Sequence, residues 1–101
     1  MNLNYTDIAA LAGYVVVTAG QDCVTVAPAR DQFQFYDGAP ESITVFQECV
    51  EYRYAHGVIE SVFPEGGTLA ANLAGAMTRE LAEEAAAYDR MLTRLRVKQV
   101  A

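Results

Sequence analysis

Residues 68–98 read TLAANLAGAMTRELAEEAAAYDRMLTRLRVK, and the rest of the chain has to be arranged around them. Pro64-Glu65-Gly66-Gly67 breaks whatever precedes, and Thr68 follows as a natural N-cap. No proline occurs from Leu69 onward, and alanine, leucine, glutamate and arginine dominate. These side chains lose little rotamer freedom in a helix. Leu73, Met77, Leu81, Ala85, Tyr88, Leu92 and Leu95 step by three or four and draw one apolar stripe. Arg79, Glu80, Glu83, Arg90, Arg94 and Lys98 fall opposite it as a solvated face. Apart from Arg79, the acids of this face lie in the first half and the bases in the last turns, as the helix dipole prefers. A single long helix from Thr68 to Lys98 is therefore predicted.

That helix has a second face. Ala71, Gly75, Ala82 and Ala86 are small and lie beside the large stripe. Together the two stripes cover more than the ~100° that a surface helix needs. About thirty residues at ~1.5 Å each give ~45 Å of helix. A domain of this size has a radius of gyration of only ~13 Å. Unless it kinks, for example at Gly75, the helix overhangs its own body. The expectation is that Leu73, Met77, Leu81, Leu92 and Leu95 pack on the chain's own strands and on a second predicted helix. Ala71, Gly75, Ala82 and Ala86 are then left to a second helix, with Tyr88 as a further interface residue.

Composition bounds the rest. A chain of 101 residues with 52 % hydrophobic residues is one α+β domain with a modest core, spanning 1–101. A formal net charge of −6 disfavours direct binding to nucleic acid or to an anionic membrane. No apolar run approaches the ~18 residues of a membrane span. Met1 to Ile8 holds no basic residue, so the apolar Ala9–Ala19 stretch is a poor signal peptide and a cytoplasmic location is expected. Cys23 and Cys49 form no CxxC pattern and are read as reduced and structural.

Upstream, Asn4 caps a short helix that ends near Ala12, with Gly13 just past it. Tyr14–Thr18 and Cys23–Val26 read as strands joined through Ala19-Gly20-Gln21-Asp22. Gln32–Tyr36 alternates cleanly and completes a predicted three-stranded antiparallel meander. Residues 41–54 are ambiguous. Ile43, Thr44, Val45, Val50, Tyr52 and Tyr54 favour strand, with Ala55-His56-Gly57 as a hairpin turn. On a helical wheel, however, the apolar residues fall on one arc and Glu41, Thr44, Gln47, Glu48 and Glu51 on the other. With Pro40 at a first helical position, periodicity predicts a second helix from Pro40 to about His56. Val58–Phe63 is then a short strand or an extended link.

No pattern carries chemistry. His56 is the only histidine and has no nucleophile or carboxylate beside it in a catalytic spacing. Glu80, Glu83 and Glu84 lack the histidines that helix-borne metal sites use, and Arg79 with Glu83 makes an ordinary i,i+4 pair. No catalytic, cofactor or metal role is assigned. The sequence reads as a non-enzymatic protein–protein interaction module that assembles through its C-terminal helix, with itself or with a protein partner. It would be a small acidic adaptor, structural subunit or inhibitor, of the type phages and plasmids use as accessory proteins. One alternative is a small-molecule binding module with a pocket between meander and helices. Another is an acidic decoy that mimics nucleic acid.

Overall fold

The computed structural model describes residues 4–29, 38–65 and 67–100, the last four as backbone alone. The elements run α1 (Tyr5–Ala10), β1 (Tyr14–Ala19), β2 (Cys23–Pro28), β3 (Ser42–Phe46), β4 (Val50–Arg53), β5 (Ile59–Val62) and α2 (Leu69–Val100). The strands form a five-stranded antiparallel sheet in sequence order. It is an α+β fold with an antiparallel sheet and a long C-terminal helix, but with five strands where three were expected.

The helices begin where their caps place them. Asn4 Oδ1 accepts from the Asp7 amide at 2.8 Å, and Thr68 Oγ1 accepts from the Ala71 amide at 3.1 Å. Gly13, at φ 79°, turns the chain from α1 into β1. The β1–β2 hairpin forms as predicted, with a bulge between Val16 and Thr18. The predicted strand Gln32–Tyr36 lies outside the described residues.

The second helix is a correction. Residues 42–53 are the hairpin β3–β4, and a single 3-10 turn at Ala55–Gly57 leads into β5. The reason is visible in the pairing. Ile43 and Val45 of β3 lie opposite Val26 and Val24 of β2 on one side, and opposite Tyr52 and Val50 of β4 on the other. All six are buried on one face of the sheet. The β-branched side chains, stiff at χ1, suit this pleated surface better than a helix. Four- and five-residue strands joined by a tight turn are too short for their alternation to stand out, so their apolar residues also fall on one helical arc. His56 (φ 67°) and Gly57 (φ 80°) supply the left-handed backbone of the β4–β5 turn.

One sheet face carries Tyr14, Val24, Val26, Ile43, Val45, Val50 and Tyr52 into the core. The start of α2 covers it with Leu69, Leu73, Ala76 and Met77, and α1 adds Ile8 and Ala9. Asn72, also buried, donates through Nδ2 to the carbonyls of Phe46 and Gln47, at 2.9 Å each. It thereby ties α2 to the β3–β4 turn, which is itself closed by Phe46 N donating to the Cys49 carbonyl at 2.8 Å. Asn72→Ala would leave both carbonyls without that donor, so a loss of about 1–3 kcal/mol is expected from urea unfolding with an unchanged m-value. A loss below about 0.5 kcal/mol would show that the turn does not need the amide.

Candidate functional site

The predicted interface residues divide at Glu80. Leu73 and Met77 are in the core, at 0 % and 1 % exposure. Leu81, Tyr88 and Leu95 are exposed, and Leu92 is half-buried. The expectation that the whole stripe packs on the chain's own strands therefore holds only for its first third. Ala71, Gly75, Ala82 and Ala86 are all exposed. α2 runs through Gly75 unbroken, so the overhang continues the same helix as the seated part.

Polar contacts fasten the helix just before it leaves the body. Arg79 pairs with Glu60 of β5, in place of the expected pair with Glu83. Its guanidinium lies 4.2 Å from the centre of the Tyr52 ring, a cation–π contact. Tyr54 donates its hydroxyl to the same Glu60 oxygen at 3.1 Å. On the inner side, Tyr14 donates its hydroxyl to Glu80 at 3.1 Å. Glu80 is only 2 % exposed, so its expected place on a solvated face is corrected. Its spacing held the signal. Leu69, Asn72, Leu73, Ala76, Met77 and Glu80 follow the i, i+3, i+4 pattern of a buried face, and two of the six are polar.

Beyond Glu80, residues 81–100 continue for about 30 Å. The molecule measures 55 × 33 × 27 Å along its principal axes. From Leu81 to Arg96 no side chain is fully buried, yet Leu81, Tyr88, Met91 and Leu95 are large and apolar, at 43–58 % exposure.

The other candidate features are modest. A cleft of about 260 Å³ lies between α2 and the β4–β5 edge, lined by Val50, Tyr52, Val62, Pro64, Ala71 and Gly75, with Arg79 at its rim. It is smaller than most small-molecule pockets. His56 is exposed in its turn. Cys23 and Cys49 are free thiols. Among the described residues no helix is long and apolar enough to cross a membrane, and no group of histidine, cysteine or acidic side chains is placed to hold a metal ion. Comparison with known protein families, characterised proteins and solved structures gives no significant match.

The clasp has a pH signature at each end of the scale. Burial and the hydrogen bond to Glu60 push the Tyr54 hydroxyl up to about 12. Its contribution to stability is therefore full below about 10 and is lost as pH rises through about 12. The hydrogen bond from Arg79 holds the Glu60 carboxyl below the usual carboxylate range. That contribution is present above about 4.5 and is lost as pH falls through the depressed value. In thermal unfolding, the gap between wild type and Tyr54→Phe should stay constant at neutral pH and close between about pH 10 and 12. The gap to Glu60→Gln should close on the acid side. Profiles parallel to wild type throughout would contradict the clasp.

Proposed function

We propose that this protein is a non-enzymatic interaction module that works by presenting the distal half of α2 to a protein partner or to a second copy of itself. The observation that carries the reading is the division of α2 at Glu80: its first third builds the body, and the remainder extends as an apolar-striped rod. An overhang that joins a seated helix has its nucleation already provided, so it extends at little cost. Among the described residues the rod's large apolar side chains lie outside the core cluster, and they suit a helix-to-helix contact. The role is that of a small acidic adaptor, structural subunit or inhibitor of accessory type, acting in the cytoplasm. The burial of Glu80 removes one of the three carboxylates that the decoy reading would use on one surface. Among the described residues, the cleft beside Arg79 is small and gives the ligand-binding reading little support.

The reading is tested by light scattering on wild type, on Tyr88→Glu with Leu92→Glu, and on Ala82→Glu with Ala86→Glu. Each double variant should keep its helical circular dichroism and its unfolding midpoint, because these residues lie outside the core cluster of the described residues. The Tyr88/Leu92 variant should weaken assembly by at least about a hundredfold, as expected when two charges enter a packed apolar contact. If neither pair changes the assembled mass, the distal helix is not the interaction surface.

A further inference from the structure

We infer that the overhang pairs with the overhang of a second copy in antiparallel orientation, about a two-fold axis near Arg90. The inference rests on the interaction reading above and adds to it the partner, the direction and the register.

The stripe Leu81, Ala85, Tyr88, Leu92 and Leu95, exposed except for half-buried Leu92, steps by 4, 3, 4 and 3 residues. This is the seam of a two-stranded coiled coil, with Ala85 and Leu92 at one heptad position and Leu81, Tyr88 and Leu95 at the other. In an antiparallel pair these two positions meet each other across the seam. Residue numbers that face each other then sum to 180, so Ala85 meets Leu95 of the second copy and Tyr88 meets Leu92. Small meets large in the outer layers of Ala85 and Leu95, and two large side chains meet in the inner layers of Tyr88 and Leu92. The register also uses the whole overhang, since residue 81 of one copy lies beside residue 99 of the other.

Charge selects the direction. Residues 1–80 hold ten of the chain's thirteen acids and only three of its seven bases, whereas residues 81–100 hold three acids and four bases. A parallel pair would set two strongly acidic bodies side by side. The antiparallel pair holds them at opposite ends of a rod about 30 Å long, several Debye lengths apart at physiological salt. Flanking charges agree. Glu84, Met91 and Lys98 occupy the same heptad position beside the seam. Antiparallel pairing places Glu84 beside Lys98 of the second copy, twice by symmetry, and Met91 beside Met91. Parallel pairing instead places Glu84 beside Asp89 of the second copy, a like-charge contact. The antiparallel register has one cost of its own, Asp89 beside Asp89 near the axis.

Sedimentation equilibrium on full-length charge variants tests this. Glu84→Lys and Lys98→Glu should each raise the dimer dissociation constant about tenfold, and the double swap should restore it. A parallel dimer would respond oppositely to Glu84→Lys, which would tighten it. A dimer that Tyr88→Glu with Leu92→Glu disrupts but the charge swap leaves unchanged would overturn the antiparallel register and leave the interaction reading standing. A wild type that is monomeric at about 100 μM would overturn the self-pairing itself.

Discussion

The seating of residues 69–80 across the sheet is the constraint on which the rest of the molecule depends. Five short strands cannot stand alone with both faces in water, and α1 is only six residues long. The start of α2 must supply the cover. Leu73 and Met77 do so, each worth about 1.5–3 kcal/mol for full burial. Apolar packing alone would let the helix slide along the sheet. Asn72 and Glu80 prevent this, because each is buried and each is held by a specific partner: the Phe46 and Gln47 carbonyls for the first, the Tyr14 hydroxyl for the second. A buried polar group that loses its partner is expensive, so the two contacts fix the helix in one position.

Everything distinctive about the molecule's outline follows from that fixed position. With the helix held between Asn72 and Glu80, its remaining residues have no sheet beneath them. The clasp of Arg79 with Glu60, Tyr52 and Tyr54 sits at this boundary and braces the base of the rod from the β5 side. The pair of Arg79 and Glu60 is part-exposed and is screened by solvent, so its value is more in aim than in stability. Past the boundary the apolar stripe continues outside the core cluster of the described residues. The body is acidic and the rod is nearly balanced in charge.

The long helix was legible because its signals are local. A breaker run, a cap, strong helix formers and a sustained period all lie within it, and its observed bounds differ from the reading by one or two residues. The first hairpin was legible for the same reason. The stretch from Pro40 to His56 was not. Its strands become favourable only when Val24 and Val26 lie on one side and α2 lies above, and neither fact is local. The division of α2 was half legible. Length alone indicated an overhang, but its starting point depends on where the sheet ends. Asn72 and Glu80 were missed because residue type outweighed position. Asparagine is a poor helix former, and its place on the Leu69–Leu73–Met77 face was the available sign that it makes a buried bond. Nothing in the sequence links Glu80 to Tyr14, sixty-six residues away.

The central claim is that the rod beyond Glu80 is covered in the working protein. Amide hydrogen exchange, followed residue by residue at several protein concentrations, tests it most directly. An uncovered helical rod frays and exchanges quickly at any concentration, while the seated part is protected by the body. The account predicts that amides from 83 to 96 gain protection as concentration rises, approaching that of 72–80, which itself stays unchanged. Fast exchange of 83–96 at every concentration, with the body intact, would contradict it.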